Sequence, residues 1–148
     1  MRIRTSTPAD AEHILNIWRA AVDATHHFLS PEDRQQIEEE VVTFLPQAPL
    51  WLAVNDNDQP IGFMLLDNSH MEALFIHPSQ RGSGIGRTLV QHAFSMHPNL
   101  TTDVNEQNEQ AIGFYEHIGF ERTGRSDKDS QGRPYPLIHL RKTAHPAS

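Results

Sequence analysis

The chain has 148 residues, no cysteine, a formal net charge of −7 and a mean hydropathy of −0.54. Its length suits one domain with a proper core, and the lack of cysteine excludes disulfides, thiolate metal sites and a cysteine nucleophile. The acidic balance argues against nucleic-acid binding, and no apolar run approaches the ~20 residues that a membrane helix needs.

Capping signals and hydrophobic periodicity predict the elements of the first half. Residues 1–5 alternate as a strand. The pairs Thr-Pro at 7–8 and Ser-Pro at 30–31 each combine an N-cap residue with a first-position proline, so each predicts the start of a helix. Apolar runs at 50–55 and 61–67 flank a polar turn and predict an antiparallel hairpin.

The second half continues this alternation of strands and helices. In order, we predict a strand at 70–76, a helix at 85–96, a strand at 100–105, a helix that ends before Gly119, and a hairpin of 121–125 with 135–140. The β-α-α-β-β-β-α-β-α-β-β order predicts an α+β fold, a mixed sheet with helices on both faces. We expect a single domain over residues 1–142, a loose tail at 143–148, and a cytoplasmic protein, because the N-terminus lacks the apolar core of a signal peptide.

A glycine-rich turn separates the predicted strand at 70–76 from the next helix. Its sequence is Gln80-Arg81-Gly82-Ser83-Gly84-Ile85-Gly86-Arg87. Such a turn gathers backbone N–H groups around one spot, and the positive end of the helix dipole adds to them, which suits a phosphate. Glycine permits positive φ and close approach of an anion. An ordinary turn that binds nothing is the simpler alternative.

Two nucleotide motifs compete for this turn and fit it badly. The nucleoside-triphosphate P-loop requires Gly-Lys-Ser/Thr, whereas the chain has Gly86-Arg87-Thr88. The dinucleotide fingerprint requires glycine at the position of Arg87. Asp103 stands where an acidic ribose ligand would be expected, but it does not compensate for the glycine spacing. A dinucleotide-dependent enzyme is therefore the weakest hypothesis.

The pattern Arg81-x-x-Gly84-x-Gly86 resembles the acyl-CoA pyrophosphate loop of the GNAT superfamily of N-acyltransferases. A second block supports the resemblance, because the family typically shows an asparagine, an alanine, a tyrosine at a helix end and then Gly-Phe. The matching residues are Asn105, Asn108, Ala111, Phe114, Tyr115, Gly119 and Phe120. The resemblance covers residues 1–141. Trp18 and the segment 23–29 further resemble a group of small bacterial acetyltransferases within the family.

The resemblance implies acetyl-CoA as co-substrate and a sheet that opens between its fourth and fifth strands. In that fold the pantetheine arm pairs with exposed backbone of the fourth strand, here Leu74, Phe75 and Ile76. It further implies cofactor contacts from Arg81, Gly82, Gly84, Ile85, Gly86, Arg87, Asn108 and Tyr115. Helix capping explains Asn108 equally well.

Acyl transfer from a thioester to an amine requires a deprotonated nucleophile and a proton for the departing thiolate. In GNAT enzymes the tyrosine of the second block commonly lies beside the thioester sulfur. The resemblance therefore implies Tyr115 as the general acid. Without the resemblance, Tyr115 would be interpreted as a core aromatic.

The general base is predicted from alternation along the strand at 70–76. His70 and Glu72 share one face with Leu74 and Ile76, an otherwise apolar surface. An imidazole titrates near neutral pH, so His70 could accept the amine proton directly or through water. A carboxylate would need burial to do the same, and we rank His70 before Glu72. The alternative is that His70 ends the strand in solvent and that Glu72 forms a surface pair.

The resemblance implies that the acceptor pocket lies between the first two helices, where Trp18, His26, His27 and Phe28 fall. Trp18 also has the spacing of a core residue. His26 and His27 are adjacent and should point apart, and no HExxH-like spacing occurs, so we expect no metal site.

The primary hypothesis is an acetyl-CoA-dependent N-acetyltransferase that acts by direct attack in a ternary complex. Its partner would be a small-molecule or peptide amine, with no nucleic acid or membrane, and either a monomer or a homodimer is compatible with the sequence. The alternative is a non-catalytic acyl-CoA-binding sensor or regulatory module. Both need the glycine turn, but only the enzyme needs Tyr115.

Overall fold

A computed structural model describes residues 1–143, and residues 144–148, most of the predicted tail, lie outside the described part. The strands are β1 Arg2–Thr5, β2 Trp51–Val54, β3 Pro60–Asp67, β4 His70–Ile76, β5 Asn99–Asn105, β6 Glu121–Ser126 and β7 Leu137–Thr143. The helices are α1 Ala11–Thr25, α2 Pro31–Phe44, α3 Ile85–Met96 and α4 Glu109–His117. The predicted order of strands and α-helices is confirmed, although β7 continues to Thr143, one residue beyond the predicted end of the domain.

The strands form a mixed sheet in the order β1-β2-β3-β4-β5-β7-β6. The pairs β1–β2, β2–β3, β5–β7 and β6–β7 are antiparallel. Strands β4 and β5 are parallel, with His70 opposite Thr101 and Met71 opposite Thr102. The predicted α+β class with a mixed sheet is therefore confirmed. The final hairpin was predicted, but the placement of β7 between β5 and β6 was not.

Contacts divide the described chain into two compact units, and β3, β4 and α3 contribute residues to both. Unit 1 comprises Met1–Leu65 and Ala73–Val90. Unit 2 comprises Leu66–Glu72 and the residues from Gln91 onward. Unit 1 therefore contains the glycine turn, and unit 2 contains His70, Glu72 and Tyr115.

The core of unit 1 is built on the apolar stripe of α1 and on β2. Residues three and four apart on a helix share one face, which is why this stripe is buried as a set. The buried members of this core are Ile14, Ile17, Trp18, Val22, Leu45, Ala48, Leu50, Leu52, Val54 and Phe63. Arg34 of α2 lies with its guanidinium carbon 4.7 Å from the centre of the Trp18 ring. Trp18 is therefore packed between the core and a cation.

The core of unit 2 follows the alternation of β5 and β7 against α4. Its buried residues include Met71, Leu100, Thr102, Val104, Ile112, Tyr115, Phe120, Ile138 and Leu140. Helix α4 ends before Gly119, whose φ of 106° continues the chain in a conformation that favours glycine. The Lys142 ammonium donates to the carbonyl of Ile118 at 2.5 Å and so satisfies one of the last carbonyls of α4.

Candidate active site

The glycine turn before α3 adopts the backbone conformation that its sequence predicts. Gly82 and Gly84 have φ values of 80° and 81°. A Cβ added to either residue would meet no atom within 4 Å, so crowding by the protein does not require glycine there. The positive φ does, because L side chains rarely adopt it.

The turn leaves a series of backbone donors without partners. Thr88 N–H donates to the carbonyl of Gly84 at 3.0 Å, and its hydroxyl donates to the same oxygen at 2.9 Å. Within residues 1–143, the N–H groups of residues 82–87 donate to no other residue. Arg81 and Arg87 flank this series, are exposed, and form no ion pair with another residue of the described part. The turn thus offers donors and positive charge to an anion.

Gly62 of β3 supports the turn in unit 1 and was missed in the sequence. A Cβ at Gly62 would lie 2.7 Å from Ile76 Cδ1 and 3.3 Å from both the Phe75 carbonyl oxygen and Ile85 Cγ2. Its missing side chain therefore lets the end of β4 and the first residue of α3 approach β3 closely. A glycine inside an apolar strand is a signal for such close approach.

Tyr115 is a buried residue of unit 2, with 7% of its surface exposed. Its ring makes edge contacts with Phe114 and Phe120, each with ring centres 5.2 Å apart. Burial raises the pKa of the Tyr115 phenol, and a hydrogen bond with the Thr102 side chain opposes this by a smaller amount. The phenol therefore keeps its proton through the neutral range, as an acid must.

His70 has both ring nitrogens engaged by β5. Nδ1 lies 2.7 Å from the Thr101 hydroxyl, and Nε2 lies 3.4 Å from an Asp103 carboxylate oxygen. The distance of Nε2 from the carboxylate is that of an ion pair when the ring is protonated, and the Thr101 hydroxyl also donates to the Ser69 carbonyl at 3.5 Å. His70 therefore does not end the strand free in solvent.

The same Asp103 carboxylate also binds His139 of β7. Asp103 Oδ1 accepts from His139 Nδ1 at 2.6 Å, and His139 Nε2 lies 2.7 Å from the Ser126 hydroxyl of β6. The expected apolar surface around His70 was wrong on this side, because the neighbouring strands contribute Thr101, Asp103 and His139. We call this chain of hydrogen bonds and one ion-pair contact, from Thr101 through His70, Asp103 and His139 to Ser126, the His70 network. Asp103 is therefore a partner of two imidazoles.

The predicted acid and base contact opposite faces of β5. His70 bonds to the side chain of Thr101, whereas Tyr115 bonds to that of Thr102. Successive side chains of a strand point to opposite faces. Glu72 is exposed. Asn108 is the N-cap of α4, where its side chain accepts from Ala111 N–H at 3.2 Å.

The residues predicted for the acceptor pocket take different environments in unit 1. Trp18 is buried in the core, with 4% of its surface exposed. His27 is exposed, and its Nε2 donates to the carbonyl of Ala24 at 3.0 Å. The His26 ring centre lies 5.3 Å from that of Phe28 and 6.4 Å from that of Phe75. Burial, with a smaller effect of His27, lowers the pKa of His26 to about 4.

Within residues 1–143, no group of three or more metal-ligating side chains is arranged to hold an ion. No helix in this range is long and apolar enough to cross a membrane.

Comparison with known proteins identifies the class. The Acetyltransferase (GNAT) domain family matches residues 15–135, so the chain belongs to that family and is an acetyl-CoA-dependent N-acetyltransferase, as predicted. The chain is 59% identical over 138 residues to the peptidyl-lysine N-acetyltransferase YjaB of Escherichia coli K12, covering 93% of this chain and 94% of YjaB. It is 56% identical over 140 residues to YjaB of Salmonella typhimurium LT2, covering 95% and 97%.

The solution structure of the apo form of E. coli YjaB matches the fold with a TM-score of 0.93. Sequence identity is 57%, and the match covers 97% of this chain and 98% of that structure. The resemblance of Trp18 and segment 23–29 to a group of small bacterial acetyltransferases is thereby confirmed.

Proposed function

We propose that this chain transfers the acetyl group of acetyl-CoA to the side-chain amine of a lysine in a peptide or protein. Two relatives that are peptidyl-lysine N-acetyltransferases are 59% and 56% identical to it over more than nine-tenths of the chain. The structural observation that carries the proposal is the run of unpartnered N–H groups at 82–87, which suits the pyrophosphate of the cofactor.

The cofactor contacts follow from the residues of unit 1. The N–H groups of the turn, with Arg81 and Arg87, would hold the pyrophosphate, and the backbone of Leu74, Phe75 and Ile76 would pair with the pantetheine arm. Gly62 leaves room for both segments, because a Cβ at this position would collide with Ile76 and crowd Ile85. Asn108 has its side-chain oxygen engaged as a cap, so a cofactor contact from it would use the amide nitrogen.

The reaction is direct attack in a ternary complex. The neutral amine attacks the thioester carbonyl, a C–N bond forms, the C–S bond breaks, and the thiolate leaves. Tyr115 donates its proton, or at least a hydrogen bond, to the developing thiolate. Its burial keeps the phenol protonated until then.

His70 is the proposed base, and Glu72 is the alternative. The Thr101 hydroxyl lies 2.7 Å from Nδ1 of His70, so the proton would travel through that hydroxyl: Thr101 gives its proton to Nδ1 as it receives one from the amine or a water. The resulting imidazolium donates to the Asp103 carboxylate, which stabilises its charge. The exposed Glu72 would accept the proton without a relay.

Incubation with acetyl-CoA and a lysine peptide blocked at its N-terminus tests the proposal. Mass spectrometry should find acetyl-lysine, and free thiol should appear in equal amount. A parallel series of polyamines, amino acids, aminoglycosides and free peptide N-termini measures the preference for lysine. Tight acetyl-CoA binding in calorimetry without transfer to any amine would instead support the sensor hypothesis.

A further inference from the structure

His26 is a partly buried imidazole at the C-terminal end of α1. Its polar contact within residues 1–143 is the Thr25 hydroxyl, 2.7 Å from Nδ1. No carboxylate of this range forms an ion pair with it, and the proposed mechanism assigns it no step.

The hydrogen bonds of Thr25 determine which tautomer His26 adopts. The Thr25 hydroxyl has one proton, and it donates this proton to the carbonyl of Ala21 at 2.7 Å. The Thr25 oxygen must therefore accept from His26 Nδ1–H. The low pKa of His26, about 4 because of its burial, keeps the ring neutral at pH 7. Nε2 thus has a free lone pair, to which no residue of the described part donates.

The surroundings of His26 suit a cationic amine. The rings of Phe28 and Phe75 lie beside it, tilted by 50° and 40°. Aromatic faces attract ammonium groups, and a neutral imidazole does not repel them. Phe75 is on β4, in the segment proposed to pair with the cofactor arm, so His26 lies beside the strand that would carry the thioester.

We infer that Nε2 of His26 accepts a hydrogen bond from the acceptor amine and positions it for attack, beside the rings of Phe28 and Phe75. The inference rests on the proposed function and names the group that binds its lysine side chain. His26 acts as a positioning residue in this role, and the proton of the amine goes to another group.

Steady-state kinetics of His26→Phe, with a blocked lysine peptide and acetyl-CoA, test the inference. Loss of a hydrogen bond to a charged group should raise the KM for the peptide by about 10-fold or more. The Kd for acetyl-CoA should stay within about 2-fold. His13→Phe is the matched control, because His13 is an exposed histidine on the same helix. It should leave both constants unchanged.

Variants of Thr25 separate positioning from packing. Thr25→Val keeps the shape but removes the hydroxyl that fixes the tautomer, so the KM for the peptide should rise about 3-fold. Thr25→Ser should restore it. Nitrogen-15 spectra of the imidazoles should show His26 as the Nδ1–H tautomer, with Nε2 shifting on titration with the blocked peptide.

A folded His26→Phe variant with an unchanged peptide KM would overturn the inference, as would an Nε2–H tautomer. Equal behaviour of Thr25→Val and Thr25→Ser would also contradict it. Failure of the proposed function looks different, because the wild-type chain would then acetylate no lysine peptide. In that case an unshifted His26 signal at saturating peptide and CoA overturns the inference independently.

Discussion

The glycine turn and the His70 network differ in whether their polar groups have hydrogen-bond partners within the protein. In the turn, the N–H groups of residues 82–87 donate to no residue within 1–143. In the network, every ring nitrogen of His70 and His139 has a partner, and one carboxylate serves both rings. The N–H groups of the turn are available to a ligand, whereas the side chains of the network already bond to one another.

This difference has an energetic consequence. An anion at the turn replaces water at these N–H groups and breaks no hydrogen bond within the protein. A substrate that reaches His70 must displace or use the Thr101 hydroxyl. We therefore expect the largest effects of substitution at the turn and smaller ones in the network.

Gly84→Glu is the substitution with the largest expected effect. It places a carboxylate among the free N–H groups and forces a non-glycine residue to a φ of 81°. We expect acetyl-CoA affinity to fall by at least about 100-fold in calorimetry, because the carboxylate repels and replaces the pyrophosphate.

Gly132→Glu is the matched control for backbone strain. Gly132 has a φ of 79°, and a Cβ there also meets nothing within 4 Å. Both variants should lose similar stability, about 1–2 kcal/mol, but only Gly84→Glu should lose the cofactor. Unchanged affinity in a folded Gly84→Glu protein would remove the turn from the site.

Tyr115→Phe extends the comparison to a buried residue of unit 2. Tyr115 already has a partner in the protein, the Thr102 side chain, and is nevertheless proposed as the general acid. The change removes one hydroxyl and little volume, so acetyl-CoA affinity should stay within about 2-fold. Turnover should fall by ~10²-fold, a common weight for general acid catalysis. Single-turnover rates at saturating cofactor measure the effect. A wild-type rate would show that the thiolate leaves without this acid.

His70→Ala tests whether a network whose side chains bond to one another also contributes to catalysis. If His70 is the base, the rate should fall about 10-fold or more at neutral pH and recover as alkaline pH deprotonates the amine without help. Asp103→Asn should give a weaker effect of the same form, because it leaves the imidazolium without its carboxylate. Equal losses at every pH would show that the network is structural and would favour Glu72, which Glu72→Gln checks.

The sequence predicted the glycine turn and the end of the helix that carries Tyr115, because both depend on local patterns. Positive φ at Gly82 and Gly84 is a property of the turn itself, and the Tyr-x-x-x-Gly-Phe block specifies the end of one helix. The His70 network could not be predicted in this way. His139 reaches Asp103 only because β7 pairs with β5, and that pairing joins residues more than thirty positions apart.

In unit 1, the sequence did not predict which residues of the acceptor region are buried. Trp18 had the spacing of a core residue and also fell in the acceptor region, and the structure buries it. His26 and His27 are indistinguishable in the sequence, whereas Thr25 and two phenylalanine rings surround only His26. The signal for Gly62 was present, because a glycine inside an apolar strand indicates close approach.

The smallest predicted effect concerns a second cluster of polar groups that bond to one another, formed by Arg4, Thr7 and Asp10. These residues are distant in the sequence from the proposed catalytic residues. Asp10 accepts two hydrogen bonds of 2.9 Å from Arg4 and one of 2.8 Å from Thr7 N–H. The Arg4 guanidinium lowers the pKa of Asp10 from 3.8 to about 2. A carboxyl with a lowered folded pKa stabilises the protein above its unfolded pKa. That stability is lost as the pH falls from near 3.8 towards 2.

Asp10→Asn should therefore reduce the free energy of unfolding by about 1–2 kcal/mol at pH 7. The difference from the wild-type chain should shrink as the pH falls through that window, since the wild-type carboxyl becomes neutral as well. Urea unfolding between pH 2 and pH 7 measures both curves.

Asp56→Asn is the control, because the Asp56 side chain is fully exposed and its contact is the N-terminus at 4.0 Å. It should change stability by less than about 0.5 kcal/mol. Parallel pH curves for Asp10→Asn and the wild-type chain would show that Arg4 does not hold Asp10 ionised. Acetyl-CoA affinity should not change in either variant, because the polar groups of this cluster bond to one another and not to the cofactor.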